Sequence, residues 1–195
     1  MFFRRLVVYT GPMFSGKTEA AQAELRKARI AARQVVYVRP AVANRDDSAC
    51  VVSHAANTVD EIEPVLLGEG EEERLYEIGR GVDVVIVDEG QFLEPSAVGP
   101  IFRLFSEGKF VVYCGLDNDF LGKPFETTLQ IMGIPEAEIH RLTAICSHCK
   151  NAYATRTHKY RDGGAAPADS PRFETGSTER YEALCLTCFL EAREL

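Results

Sequence analysis

The sequence predicts an α/β fold, a parallel sheet covered by helices, followed by a smaller C-terminal unit. Three observations carry that expectation. Short apolar runs rich in β-branched residues recur at Leu6 to Tyr9, Val35 to Val38, Val82 to Val87 and Phe110 to Cys114, with helix-compatible stretches between most of them. Alternation of this kind implies parallel strands joined through helices. Val84-Val-Ile-Val87 is apolar without interruption, as a strand buried on both faces would be. Near Arg141 the alternation stops, the first cysteine pair arrives, and a stretch rich in Gly, Ala, Pro and Asp runs from Asp162 to Pro171. The expected division is 1–141 for a nucleotide-binding α/β domain and 142–195 for a smaller, metal-bearing one.

Taken in order, the first strand runs into Gly11-Pro12-Met13-Phe14-Ser15-Gly16-Lys17-Thr18. This is the phosphate-binding loop pattern of glycine, four free positions, glycine, lysine and a hydroxyl residue. Glycines at both ends let the backbone fold around phosphates with its N–H groups inward, and the helix that starts at the loop adds its positive dipole end. Lys17 contributes a full charge and Thr18 a hydroxyl for magnesium. The alanine-rich stretch after the loop, through Arg33, reads as that helix. A nucleoside triphosphate is the first ligand expected. The acidic cluster Glu69 to Glu73, ahead of Arg74-Leu-Tyr, reads as a solvated helix start rather than a metal site. The buried strand delivers Asp88 and Glu89 to the ligand-binding edge of the sheet. There Asp88 is placed to share magnesium with Thr18, and Glu89 to take up the proton of an attacking alcohol. A water-positioning carboxylate in an ATPase fits Glu89 equally, so these residues alone leave kinase and ATPase both open.

Size and charge narrow the field. A chain of 195 residues can bury a sizeable core without disulfides. Its net charge of -7 argues against a broad nucleic-acid-binding face. No apolar run approaches the span of a bilayer, and Met1-Phe-Phe-Arg-Arg lacks the hydrophobic region of a secretion signal, so no membrane partner and a cytoplasmic location are expected. Of the 6 cysteines, Cys50 and Cys114 sit singly in apolar surroundings and read as small buried hydrophobes. The others form Cys146-Ser-His-Cys149 and Cys185-Leu-Thr-Cys188. Two such pairs set four thiolates on two tight turns, the arrangement of a closed, structural zinc site, although their separation exceeds the usual ~15–20 residues. His148 and His158 read as incidental, because four cysteines already complete the shell. Gly163 to Ser170 has little apolar content and reads as a flexible connector or, beside an active site, a lid. Phe92, Phe120, Phe125 and Tyr181 all lie next to loops, where their faces jointly suit a flat apolar base.

Together these residues resemble the type II thymidine kinases, the zinc-containing deoxynucleoside kinases. The matching elements are Gly11 to Thr18, Ser53-His54, Asp88-Glu-Gly-Gln-Phe92, Gly115-Leu-Asp-Asn-Asp-Phe120, Lys123-Pro-Phe125, Leu142-Thr-Ala-Ile-Cys146 with Cys149, and Tyr181 with Cys185 and Cys188. They span nearly the whole chain in order, which is far more specific than the phosphate loop alone. The resemblance implies a P-loop, RecA-like parallel sheet flanked by helices, with a zinc-ribbon-like C-terminal domain carrying a lasso loop. It implies transfer of the ATP γ-phosphate to the 5′-hydroxyl of thymidine, with Glu89 as base and Lys17, Thr18, Asp88 and Mg2+ handling the phosphates. It places the thymine base against Met13, Phe92, Leu116, Phe120, Phe125, Gly176 and Tyr181, and Arg45 near the phosphates. Zinc on Cys146, Cys149, Cys185 and Cys188, feedback inhibition by dTTP and a homotetramer are further implications. Two departures stand out: Ala43 occupies a position that is usually acidic, and the stretch from His158 to Arg172 has no obvious match.

Two rival readings remain. One is a phosphate-loop ATPase whose zinc ribbon binds nucleic acid through Lys150, Arg156, Lys159 and Arg161. The other is a nucleotide-sensing module in which ATP only orders a loop. Whole-chain acidity and Asp88-Glu-Gly-Gln-Phe92 oppose the first, and Glu89 in the cleft opposes the second.

Overall fold

The computed structural model describes residues 4–43, 62–161, 164–172 and 181–193. Arg45, Ser53, His54, Cys50 and Gly176 lie outside the described residues. Six strands, β1 (Arg5–Thr10), β2 (Val35–Pro40), β3 (Val65–Leu67), β4 (Val84–Val87), β5 (Phe110–Gly115) and β6 (Ala137–Arg141), form one sheet in the order β3-β2-β4-β5-β1-β6. Every pairing in it is parallel. All six strands therefore end at one edge, and the loops leaving that edge build the site.

The period-2 alternation of strand side chains sorts the core onto two faces. Leu6, Val8, Val38, Val85, Val87, Val111 and Tyr113 meet Leu75, Ile101, Leu104 and Ile131. These come from α2 (Glu72–Gly79), α3 (Val98–Ser106) and α4 (Glu126–Met132). On the opposite face Val7, Tyr37, Val84, Ile86, Phe110, Val112 and Cys114 meet Ala21, Leu25 and Ala28 of α1 (Lys17–Ile30). Small alanines let α1 lie close over the strand ends, which keeps the phosphate loop against the sheet. All four side chains of β4 have no exposure, as the uninterrupted apolar run requires, and each contributes about 1.5–3 kcal/mol by its burial.

Differences from the expected elements have local causes. The first helix stops at Ile30 rather than Arg33, because Ala32 turns left-handed (φ 51°) and Arg33 N–H closes back on the Ala28 carbonyl at 2.9 Å. Val82 belongs to the turn before β4, where its N–H reaches the Gly79 carbonyl. The edge strands β3 and β6 were not anticipated; the former has only 3 residues, and the latter, Ala-Glu-Ile-His-Arg, exposes most of its side chains.

Beyond Arg141 the structure changes. β7 (Ala144–Ile145) pairs antiparallel with β8 (Tyr153–Ala154). β9 (Arg156–Arg161) lies between β10 (Gly164–Ala165) and β11 (Tyr181–Leu184), and α5 (Leu186–Ala192) follows. A third, smaller core of Ala144, Ala154, Ala183, Leu184 and Phe189 packs around the cysteines. The expectation of a flexible connector at Gly163 to Ser170 needs correction over its described residues, 164–170, Gly163 lying outside them. Gly164–Ala165 is a strand on β9, the Ala166 N–H bonds the Lys159 carbonyl at 2.9 Å, and Ala166 is buried. Backbone pairing supplies the order that apolar content does not. Among the described residues, no helix is long and apolar enough to cross a membrane.

Candidate active site and four-cysteine centre

The phosphate loop leaves β1 with three residues at positive φ: Gly11 (141°), Phe14 (64°) and Gly16 (85°). At Gly11 no side chain fits, since a Cβ there would stand 2.3 Å from the Leu142 carbonyl oxygen. Lys17 Nζ donates to the carbonyls of Gly11 (3.1 Å) and Pro12 (2.6 Å) and to Ser15 Oγ (3.4 Å). Those contacts hold the cation over the loop. Burial pushes the Lys17 pKa down, while the charges of Glu89 and Asp88 work to keep it protonated. Met13 N–H donates to Thr157 Oγ1 at 3.1 Å, tying the loop to β9.

Asp88 caps β4 almost completely buried (2 % exposed). Its Oδ2 is 3.5 Å from Thr18 Oγ1, accepts from the Tyr37 hydroxyl at 2.9 Å, and lies 3.9 Å from Arg39 Nε. Burial and the neighbouring Glu89 charge push the Asp88 carboxyl up to about 6, against the pull of Arg39 and Tyr37. A buried carboxylate beside a helix-start hydroxyl is a fitting donor set for a hard divalent cation, which prefers oxygen ligands. Thr18 and Asp88 are the residues that would hold magnesium.

Glu89 adopts a left-handed backbone (φ 55°, ψ 33°), a conformation that costs a residue with a side chain of order 1–3 kcal/mol. The strain is sustained by surrounding contacts. Glu89 N–H bonds Asp88 Oδ1 at 3.0 Å, and Gln91 Nε2 donates to Glu89 Oε2 at 2.6 Å. Gln91 Oε1 in turn accepts from Leu116 N–H at 3.0 Å, linking the β4 and β5 loops. The Tyr113 ring keeps position 90 a glycine, because a Cβ there would lie 2.4 Å from it. Glu89 thus projects into the cavity that the phosphate loop also lines.

That cavity encloses about 630 Å³. Met13 to Glu19, Glu89, Phe92, Leu116, Phe120, Phe125 and Tyr181 line it together. The structure therefore brings together the described members of the expected base pocket: Met13, Phe92, Leu116, Phe120, Phe125 and Tyr181. Gly11 and Pro12 serve Lys17 through their carbonyls, and Asp88 is buried at the end of β4. Residues that sequence reasoning passed over are Tyr37, Arg39, Gln91 and Thr157. Gln91 was in plain view inside Asp88-Glu-Gly-Gln-Phe92; Tyr37 and Arg39 share one face of β2 by alternation; Thr157 carries no local signal, since its partner Met13 is distant in the chain. Cys114 is fully buried, its thiol pushed well up by burial, consistent with a packing role.

Four thiols converge in the smaller core. Sγ atoms of Cys146, Cys149, Cys185 and Cys188 all lie within 4.8 Å of one another, and none is disulfide-bonded. Cys149 and Cys185 are 4.0 Å apart, against about 3.8 Å for two ligands on a tetrahedral zinc with Zn–S bonds of ~2.3 Å. Burial opposes ionisation of Cys146, but backbone N–H groups of Cys185, Cys149 and His148 outweigh it and bring the thiol down to about 6. Cys188 moves the opposite way, pushed up to about 12 by its thiol contacts with Cys185, Cys146 and Cys149 and by burial; it is the convergence of four sulfurs at these separations that fits a structural zinc. His148 stands outside this shell, with Nε2 2.9 Å from the Tyr160 hydroxyl and 3.1 Å from Glu182 Oε2. His158 is buried edge-on to Tyr160 at 4.5 Å between ring centres. The basic surface of Lys150, Arg156, Lys159 and Arg161 that the nucleic-acid-binding rival would need does not exist as one patch. Lys159 is 1 % exposed, and the Arg156 guanidinium packs over Phe189 at 6.0 Å.

Comparison with known proteins matches this geometry. A family model described as "TK: Thymidine kinase" matches residues 4–189. The chain is 38% identical to the thymidine kinase of Deinococcus radiodurans over 187 residues, covering 92% of this chain and 86% of that protein. It is 38% identical to the thymidine kinase of Halobacterium salinarum over 189 residues, covering 96% and 94%. Among solved structures, a DNA replication initiation factor is a remote neighbour, with a TM-score of 0.40 and 16% identity over 71% of this chain and 40% of that one. So distant a likeness bears on nothing further. Phosphate loop, strand-end carboxylates, aromatic cavity and cysteine centre thus coincide with a match along nearly the whole sequence, and the chain belongs to the thymidine kinase family.

Proposed function

We propose that this protein transfers the γ-phosphate of ATP to the 5′-hydroxyl of thymidine. The observation that carries the reading is a single cavity lined by the phosphate loop, by an aromatic cradle and by Glu89. A flat base between Phe120, Phe125, Leu116 and Tyr181 sets the sugar toward Glu89. In the transfer the 5′-oxygen bonds to the γ-phosphorus, the bond from that phosphorus to the bridging oxygen of ADP breaks, and the hydroxyl proton passes to Glu89. Gln91, bonded to one carboxylate oxygen, keeps Glu89 turned into the cavity. Lys17 exchanges the Gly11 and Pro12 carbonyls for phosphate oxygens. Magnesium, when bound by Thr18 and Asp88, supplies charge neutralisation of the triphosphate.

Residues 1–141 act as the nucleotide-binding unit and 142–195 as a zinc-ordered unit that completes the nucleoside end. Zinc on the four cysteines is structural, since four protein ligands leave no open position. Arg45 at the phosphates, Gly176 at the base, a cytoplasmic location, a homotetramer and inhibition by dTTP belong to the same reading by family resemblance. Incubating the protein with ATP, magnesium and a panel of nucleosides tests it: phosphate incorporation confined to thymidine-like acceptors is expected. ATP hydrolysis indifferent to every nucleoside would overturn it.

A further inference from the structure

Between β5 and α4 lies a loop, Leu116 to Phe125, that supplies three walls of the nucleoside end: Leu116, Phe120 and Phe125. Its shape is organised by one buried carboxylate. Asp119, with its side chain 2 % exposed, accepts the N–H groups of Leu121 and Lys123 on Oδ1, both at 2.9 Å. Its second oxygen faces the other half of the molecule. There Arg172 Nε donates to Asp119 Oδ2 at 2.8 Å, and one terminal nitrogen of the same guanidinium donates to the Pro124 carbonyl at 2.5 Å and the Lys123 carbonyl at 3.4 Å. The guanidinium plane also covers the Phe125 ring, 4.3 Å from its centre.

The residue before it is anchored as well. Lys159, buried on β9, donates from Nζ to the Pro171 carbonyl at 2.8 Å and stands 5.2 Å from the Phe120 ring and 5.9 Å from the Tyr181 ring. Two cations therefore fix consecutive residues of the segment that follows β10, one by its main chain and one by its side chain. Asp119, Phe120, Phe125, Arg172 and Tyr181 all line the cavity.

We propose that Arg172 is a specificity-positioning residue for the nucleoside: it clasps the segment 164–172 to the Asp119 loop and sets the placement of Phe125 against the base. The clasp needs arginine. A planar fork satisfies a carboxylate and two carbonyls while stacking on a ring, whereas an ammonium group does one of these at a time. Its influence falls on acceptor binding and spares the chemistry, because Glu89 is held by Gln91 and Lys17 by the phosphate loop's own carbonyls, through hydrogen bonds in which Arg172 takes no part. This inference rests on the proposed seat of the base among Phe120, Phe125 and Tyr181.

Steady-state kinetics of the full chain with thymidine and ATP test it, comparing R172Q, R172K, D119N, the R172Q/D119N double variant and F125A. R172Q is expected to raise the thymidine KM about tenfold, the loss of a charge-assisted hydrogen-bond set, with kcat and the ATP KM within about twofold of the parent. R172K restores less than half of that loss. D119N raises the thymidine KM in the same sense, and the double variant is no worse than the poorer single one, as partners in one interaction require. An unchanged thymidine KM in R172Q alongside a raised one in F125A would overturn the clasp and leave the base pocket standing. No effect in F125A would instead unseat the pocket. A fall in kcat with both KM values disturbed in R172Q would mark general damage to the fold and likewise overturn the assignment.

Discussion

The two ends of the cavity are built in opposite ways. At the phosphate end, one contiguous segment, residues 11–18, closes on itself through Lys17 and its own carbonyls, and Thr157 and Asp88 reach it from afar, at Met13 and Thr18. At the nucleoside end, side chains from the β4 loop, the β5 loop, the segment after β10 and β11 meet, three regions of the chain well separated in sequence. One end is a local motif resting on the sheet; the other is a tertiary construction whose later half depends on the cysteine centre. The difference teaches that phosphate binding should survive injuries that abolish nucleoside binding, and that chemistry should fail where the two meet, at Glu89.

The meeting point gives the largest expected effect. Glu89→Gln keeps size and shape but removes the proton acceptor, so kcat should fall by about 10²–10⁴ while thymidine and ATP binding, measured by calorimetry, stay within about threefold. Near-parental turnover would exclude Glu89 as the base. Breaking the tertiary end comes next. Cys185→Ser should reduce zinc, measured by metal analysis, from about one per chain toward none and raise the thymidine KM by more than about tenfold, with ATP binding retained. Equal loss of both affinities would deny the separation of the two ends.

The phosphate end is sharpened by pH. The Asp88 carboxyl titrates near 6 in the folded protein against 3.8 for an ordinary aspartate, so the folded state holds a proton there that the unfolded chain has released. Its ionisation therefore lowers the stability of the free protein as pH rises through that window, and a divalent cation recovers the loss. Magnesium–nucleotide affinity should be full above pH 6 and fall about tenfold per unit below it, with thymidine affinity far less affected. Asp88→Asn should flatten the profile. The smallest effect belongs to Tyr37→Phe. It removes a hydrogen bond that favours the Asp88 anion, so the midpoint should move upward, and the change in stability should be about 0.5–1.5 kcal/mol. A downward shift would contradict the geometry.

The same contrast explains what could be read in the sequence. Gly11 to Thr18, Asp88, Glu89 and the cysteine pairs were legible because each is a short pattern whose chemistry is complete within a few residues. The central strands were legible because burial on both faces leaves them purely apolar. Edge strands were not: β3 is too short to register, and β6 carries polar side chains that one solvent-facing side permits. The clasp of Asp119 and Arg172 was hidden for another reason. Each residue alone reads as an ordinary surface charge, and only the folded path of the chain brings them together. The basic residues after Cys149, which the rejected nucleic-acid rival would need as one patch, are split by the fold, with Lys159 inside and Lys150 outside.

Gly90 and the Tyr113 ring share a space that admits only one of them at full size. Sequence drift at these two positions is consequently coupled: a side chain can enter at 90 only after 113 has shrunk. Libraries that randomise the Asp88 to Phe92 stretch one position at a time will find position 90 closed, and only paired variation with position 113 opens new shapes for the turn that aims the Glu89 carboxylate.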